Sequence, residues 1–192
     1  MEEGNNVWIK YYKSKSLLNF LRIFEYKINK LVLNSFQKIT FREISSKIKE
    51  GLNKEEEVNI LSAGSGIDFI AYHLKKKFGN RIKITLFDIS NECINKNKKL
   101  FDGLFDYVIG DISSYNFKNK FDIVYNTGLI EHFSENKQDK IISNTYDSLK
   151  EGGYYITLNP YSGGKFTIKY MKVAKQKNTW DYGEEDMFIN SL

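Results

Sequence analysis

The chain has 192 residues, of which 41% are apolar and 28% are charged. This is enough to bury the core of one globular domain but too short for two full domains. A single cysteine, Cys93, excludes an intramolecular disulfide framework and a cysteine-rich zinc site. No segment approaches the ~20 apolar residues that a membrane span needs, and the N-terminus lacks the basic and then apolar pattern of a secretory signal. We therefore predict a cytoplasmic protein without a membrane partner.

The formal net charge is +5, from 29 lysines and arginines against 24 aspartates and glutamates. Such an excess is typical of proteins that bind nucleic acids, but here the basic residues are spread along the chain instead of forming a cluster. We therefore expect no nucleic-acid partner. No His, Asp or Glu residues have the spacing of metal ligands, so we also expect no metal site. The composition does not predict an oligomeric state.

The N-terminal part has the periodicity of two amphipathic helices. Apolar residues recur at steps of three and four positions up to Leu31 and again, after a polar break near Gln37, as far as Ile48. We assign residues 1–54 to an N-terminal arm and helices that belong to the same domain as residues 55–192.

From Val58 onwards, short apolar runs alternate with helical stretches. The predicted strands are VNILSAG, RIKITLFD, FDYVIGD, FDIVYNT and YYITLNP, and KFTIKYMKV is one further possible strand. The predicted helices are DFIAYHLKKKFG, NECINKNKKLFDG and QDKIISNTYDSLKEGG. Because this alternation is typical of a parallel sheet covered on both faces, we predict a doubly wound, mostly parallel sheet in a three-layer α/β/α arrangement.

Ligands of such sheets bind beyond the carboxyl ends of the strands, so the residues at these ends are the candidate site. The first predicted strand runs into Gly64-Ser65-Gly66, where glycines allow a tight turn and a close approach of backbone to ligand. The second strand ends in Asp88, at a spacing that suits an acid bound to two ribose hydroxyls, and the third ends in Asp111. The combination predicts a nucleoside-containing cofactor.

Two kinds of cofactor share this layout. A dinucleotide such as NAD requires a third glycine or alanine where Phe69 stands, and the bulk of this side chain obstructs close packing of the helix on the sheet. The alternative is an adenosine carried by a sulfonium amino acid. That cofactor has no pyrophosphate for the helix N-terminus to neutralise.

Residues 55–160 resemble the class I S-adenosylmethionine-dependent methyltransferases, whose fold is Rossmann-like. The motifs that carry the resemblance are NILSAGSGID, LFDIS, GDISSYNF, FDIVYNTGLIEHF and LKEGGYYITLNPY. Three departures accompany it. The family often has an acid where Ser62 stands and a third glycine where Asp68 stands, and its sheet usually closes with a hairpin that this chain lacks or has truncated. We interpret Asp68 as the N-cap of the following helix.

The resemblance implies S-adenosylmethionine as the cofactor and assigns the site residues. The implied cofactor-binding residues are Ala63, Gly64, Ser65, Gly66, Asp88, Ile89, Asp111, Ile112, Asn126 and Thr127. His132 and Glu131 are candidate catalytic residues, because an imidazole or a carboxylate can take a proton from the methyl acceptor. Tyr11, Tyr12 and Trp180 are candidate substrate-binding residues.

The function that follows is methyl transfer to an oxygen, nitrogen or carbon nucleophile of a small molecule. One alternative is a catalytically inactive protein that keeps the cofactor fold for binding, and another is an RNA-directed methyltransferase. Asn159-Pro160-Tyr161 is similar to a signature of methyltransferases that modify bases of nucleic acids. It follows the fifth predicted strand here instead of the fourth, so we do not assign that function from it.

Overall fold

The computed structural model describes residues 32–159. The described helices are α1 (Ser35–Leu52), α2 (Phe69–Phe78), α3 (Asn91–Phe101) and α4 (Glu135–Ser148). The strands are β1 (Val58–Ala63), β2 (Ile82–Asp88), β3 (Asp106–Ile109), β4 (Phe121–Thr127) and β5 (Leu149–Leu158). Two short 3₁₀ turns are formed by Gly79–Arg81 and Ile130–His132.

The strands form one sheet in the order β3-β2-β1-β4-β5, and all neighbouring strands are parallel. Ile60 of β1 pairs with Ile84 of β2 on one side and with Ile123 of β4 on the other. The predicted doubly wound α/β fold is therefore confirmed. The order of the strands reverses between β1 and β4, which places the switch point, and hence the expected ligand site, at the carboxyl ends of these strands.

Helices cover both faces of the sheet. On one face, Ile48 of α1, Leu74 of α2 and Phe101 of α3 are members of a single buried apolar cluster. On the other face, Ile141 of α4 packs in a second cluster that contains Leu61 of β1. Each such side chain contributes about 1.5–3 kcal/mol when it is removed from water, so the two clusters hold the helices against the sheet.

Helix α1 begins at Ser35, before the polar break near Gln37 from which the sequence predicts it. The Asn34 side chain accepts a hydrogen bond from the Gln37 backbone N–H at 2.9 Å, and the Gln37 side chain accepts one from the Asn34 N–H at 3.0 Å. This reciprocal capping box starts a helix. The polar residues at this point therefore mark the first turn of α1.

The end of α4 corrects a second expectation. The sequence predicts a helix that continues to Gly152-Gly153, but α4 ends at Ser148 and β5 begins at Leu149. Leu149 is buried and pairs with Phe121 at the start of β4. The glycines lie in an irregularity of the ladder between Phe121 and Ile123, where the register shifts. Burial of Leu149 in the core therefore ends the helix before the glycines do.

Other predictions fall outside the described part of the chain. The helix predicted up to Leu31 and the possible strand KFTIKYMKV lie there, and the division at residue 54 stays a prediction. Within residues 32–159, no helix has both the length and the apolar character that a bilayer crossing requires.

Candidate active site

The loops that follow β1, β2, β3 and β4 surround a cavity of about 280 Å³ at the switch point. Its volume is close to the lower end of the range for small-molecule sites. The predicted site residues that line it are Gly64, Ser65, Gly66, Asp88, Ile89, Asp111, Ile112, Thr127 and His132. The topology thus brings most of the predicted residues together around one cavity.

The loop after β1 needs glycine for two physical reasons. Gly64 has φ +60°, a left-handed conformation that side chains rarely adopt, and a Cβ at this position would lie 2.5 Å from Leu129 Cδ1. Gly66 also has a positive φ, of 53°. The next residue along the loop, Ser65, donates its backbone N–H to the Phe87 carbonyl at 2.9 Å, which ties the loop to β2. The loop is therefore a bare backbone surface facing the cavity.

Asp88, at the end of β2, holds this loop. Its Oδ2 accepts the Gly66 backbone N–H at 2.9 Å, and its Oδ1 accepts the Ser90 N–H at 2.9 Å. Burial raises the pKa of the Asp88 carboxyl above its ordinary value, while these N–H donors and further hydrogen bonds from Cys93 and Ile89 act in the opposite direction. Asp88 also lines the cavity, so its carboxylate is placed where donors of a ligand are expected.

Asn97 of α3 is a residue that sequence reasoning missed. Its Nδ2 donates to the Gly66 carbonyl at 2.6 Å, and its Oδ1 accepts the Asp68 N–H at 3.2 Å. The side chain is fully buried. Gly66 is therefore held through its N–H by Asp88 and through its carbonyl by Asn97. We regard Asn97 as a positioning residue for the loop.

Asp68 is the N-cap of α2, as interpreted from the sequence. Its Oδ1 accepts the Ala71 N–H at 2.8 Å, and its Oδ2 accepts the hydroxyls of Ser62 at 2.6 Å and Tyr125 at 2.5 Å. Burial raises the pKa of the Asp68 carboxyl. This cluster joins β1, β4 and α2 beneath the loop, so the Ser62 hydroxyl is engaged within the protein.

Asp111 lies in the loop two residues beyond the last residue of β3, Ile109, instead of ending the strand as predicted. Its Oδ1 accepts the backbone N–H and the hydroxyl of Ser113, and its Oδ2 lies 3.5 Å from Lys137 Nζ. Burial acts to raise the pKa of Asp111, but the Ser113 hydrogen bonds and the Lys137 charge hold it below its ordinary value. The carboxylate is ionised at the rim of the cavity.

Glu131, which is buried, and His132, which is partly buried, lie next to each other in the 3₁₀ turn after β4. Glu131 Oε1 lies 3.9 Å from His132 Nε2. Burial raises the pKa of Glu131 to about 7 and lowers that of His132 to about 4. The imidazole is thus neutral at pH 7, and it donates one N–H to the Gly128 carbonyl. Glu131 Oε2 is buried and has no hydrogen-bond partner within the described part of the chain.

Two predicted cofactor-binding residues do not line the cavity. Ala63 packs in the second apolar cluster, and the Asn126 amide is hydrogen-bonded to the hydroxyls of Tyr155 at 2.5 Å and Thr157 at 2.9 Å. The candidate substrate residues Tyr11, Tyr12 and Trp180 lie outside the described residues.

The cavity also contains residues that the sequence did not single out. They are Ile67, Phe87, Gly110, Gly128, Leu129 and Phe133. Gly110 and Gly128 each directly follow the last residue of a strand, at the same edge of the sheet, so their positions carried a usable signal. The apolar residues gave no such signal, because the sequence alone does not distinguish an apolar residue that lines a cavity near a strand end from one in the core.

The parallel sheet and the cavity at its switch point define a Rossmann-like domain of the kind that binds nucleoside cofactors. Residues 60–153 match the family described as "Methyltransferase domain". The resemblance to class I S-adenosylmethionine-dependent methyltransferases that the sequence motifs indicated is therefore confirmed for this part of the chain. No curated protein sequence matches the chain.

Solved structures share the fold at low sequence identity. A TehB-like SAM-dependent methyltransferase from Corynebacterium glutamicum has a TM-score of 0.50 and 21% identity, over 68% of this chain and 70% of that one. The glycopeptide N-methyltransferase MtfA has a TM-score of 0.52 and 14% identity, over 65% and 53%. The CurJ carbon methyltransferase has a TM-score of 0.58 and 14% identity, over 68% of this chain and 37% of that one. The chain thus corresponds to between 37% and 70% of the lengths of these proteins.

The cofactor of this family is S-adenosylmethionine, and the cavity residues fit its adenosine end. Asp88 offers carboxylate oxygens at the place where ribose hydroxyls are expected. Ile89 and Ile112 supply apolar walls for an adenine ring. The close approach of Leu129 to Gly64 leaves no room for a side chain on the loop, as expected where a ligand meets bare backbone.

Proposed function

We propose that the protein transfers the methyl group of S-adenosylmethionine to an oxygen, nitrogen or carbon nucleophile of a small molecule. The observation that carries this proposal is the cavity at the switch point, which has the glycine loop and Asp88 on one side and His132, with Glu131 beside it, on the other. When bound, the cofactor supplies a methyl group on a positively charged sulfur that is already a good leaving group.

The protein's own task is then to bind, orient and exclude water. Gly64, Ser65, Gly66 and Asp88 would hold the adenosine end against the sheet. Apolar side chains after β4, Leu129 and Phe133 among them, line the other part of the cavity and keep water from it.

His132 and Glu131 remain our candidates for handling the acceptor's proton. One imidazole nitrogen of His132 donates to the Gly128 carbonyl, so the other has a lone pair at neutral pH. This nitrogen is able to accept a hydrogen bond from a hydroxyl or an amine. The neighbouring Glu131 carboxyl, whose pKa burial raises to about 7, titrates close to physiological pH. Tyr11, Tyr12 and Trp180 are proposed to contact the acceptor.

An activity measurement tests the acceptor class. The protein is incubated with S-adenosylmethionine and either a deproteinised small-molecule extract or purified RNA, and S-adenosylhomocysteine production is measured. We expect production that depends on the small-molecule fraction. A boiled sample of the protein gives the background rate.

Two results contradict the proposal. Production that depends on RNA would favour the RNA-directed alternative. It would imply that the basic residues, which are spread along the sequence, cluster in space. Cofactor binding without production in any fraction would favour the catalytically inactive alternative.

A further inference from the structure

The carboxyl groups next to the glycine loop and the cavity differ in their hydrogen bonding. Both carboxylate oxygens of Asp68, Asp88 and Asp111 are engaged by protein donors or, at one oxygen of Asp111, by a lysine. Glu131 is different, because its Oε2 is buried without a partner in the described structure and its side chain is only 7% exposed. Burying an unpartnered carboxyl oxygen is unfavourable, and such a group calls for an explanation such as a ligand that completes it.

The position of Glu131 indicates which part of a ligand it meets. Its Oε1 lies 3.1 Å from the place where a Cβ on Gly128 would be, and Gly128 lines the cavity. The cavity-lining His132 ring lies beside the same oxygen. Glu131 itself does not line the cavity, but its carboxyl lies beside two residues that line it after β4, Gly128 and His132. Asp88 and Asp111 line the cavity after β2 and β3.

An adenosine held at the β2 and β3 side directs the rest of the cofactor towards β1 and β4. That end carries an α-ammonium group, which has three N–H donors and a full positive charge. The carboxyl and hydroxyl groups beneath the β1 loop are not available to it, since Ser62 and Tyr125 both donate to Asp68 Oδ2 and the Ala71 N–H occupies Oδ1. A carboxylate is the strongest acceptor for an ammonium group.

We propose that Glu131 binds the α-ammonium group at the amino acid end of S-adenosylmethionine, an assignment that rests on the proposed function. The carboxyl turns past Gly128 towards the cavity, so that its unpartnered oxygen gains a donor and the ammonium gains a carboxylate. Under this assignment Glu131 is a cofactor-binding residue, and the proton of the acceptor is left to His132.

The affinity for the ammonium group must then depend on pH. The ligand binds the ionised carboxylate, and the pKa of Glu131 in the free protein is about 7. The titratable groups that face it from the described elements are His132, whose pKa of about 4 keeps it neutral, and Tyr155 of β5, whose pKa is raised by burial. Only Glu131 of these changes charge between pH 6 and pH 8, so its ionised fraction and the affinity rise about tenfold over that interval.

Calorimetric titration with two probes tests the assignment. S-adenosylhomocysteine contains the α-ammonium group, and 5′-methylthioadenosine lacks the whole amino acid end. At pH 8 we expect Glu131→Gln to weaken binding of the first probe roughly 10- to 100-fold and to change binding of the second less than twofold. Glu135→Gln is the matched control, because Glu135 is an exposed glutamate in the first turn of α4. It should change neither affinity.

Comparison of the outcomes separates this assignment from the proposed function. Equal weakening of the binding of both probes by Glu131→Gln would show that Glu131 only supports the loop. Unchanged affinities for both probes would leave it the role of a general base. Either result overturns the assignment. A flat affinity of the wild-type protein for S-adenosylhomocysteine between pH 6 and pH 8 overturns it without any variant. If the folded wild-type protein binds neither probe, the proposed function itself fails.

Discussion

Replacement of Asp88 by asparagine is expected to weaken binding of S-adenosylhomocysteine by about 1.5–3 kcal/mol, which is roughly 10- to 150-fold. The carboxylate accepts the N–H groups of Gly66 and Ser90 and lines the cavity where the ribose hydroxyls are expected. An amide at this position turns one of these acceptors into a donor that faces a backbone N–H. The variant therefore loses contacts to the ligand and also loosens the glycine loop. Isothermal titration calorimetry measures the effect.

The matched control for this variant is Asp106→Asn. Asp106 is an exposed acid at the start of β3, where its carboxylate lies 3.5 Å from Lys83 Nζ. Its replacement removes the same charge from the neighbouring strand and should leave the affinity unchanged. An unaltered affinity of a folded Asp88→Asn protein would remove Asp88 from the site.

Replacement of Gly64 by alanine is expected to abolish measurable cofactor binding. The new Cβ would lie 2.5 Å from Leu129 Cδ1, so either the loop or Leu129 must move into the cavity. The positive φ of Gly64 adds a strain of about 1–2 kcal/mol for any L side chain. Binding is measured by calorimetry, and the melting temperature reports the accompanying loss of stability.

Gly79→Ala separates the two effects. Gly79 has the same φ of +60°, but a Cβ there would meet nothing within 4 Å. This control therefore places a side chain at the same positive φ without the clash, and it lies at the end of α2, away from the loop. We expect a lower melting temperature and normal binding. Normal binding by a folded Gly64→Ala protein would show that the loop does not approach a ligand.

The sequence was most informative where one local pattern decides the structure. Except between β3 and β4, the strands of the sheet alternate with helices along the chain. The caps of α2 and α3 are Asp68 and Ser90, which are residue types that favour this position. The glycine loop and Asp88 were predictable because strand ends in a parallel sheet converge on one edge.

It was least informative where a residue acts through a partner distant in the chain. Asn97 is an ordinary polar residue in a polar helix, and only the packing of α3 against the loop gives its amide Gly66 and Asp68 as partners. The start of β5 depends on the pairing of Leu149 with Phe121, which no local signal shows. Likewise, Asn126 follows the motif of the family but directs its amide to Tyr155 and Thr157.

The most direct test of the central claim, that the cavity at the switch point binds S-adenosylmethionine, is a calorimetric titration of the wild-type protein with S-adenosylhomocysteine and, separately, with NAD. We expect saturable binding of S-adenosylhomocysteine at one site per chain, competition by adenosine, and no binding of NAD, because Phe69 stands where a dinucleotide site needs a small residue. Binding of NAD, or the absence of S-adenosylhomocysteine binding by the folded protein, would contradict the claim.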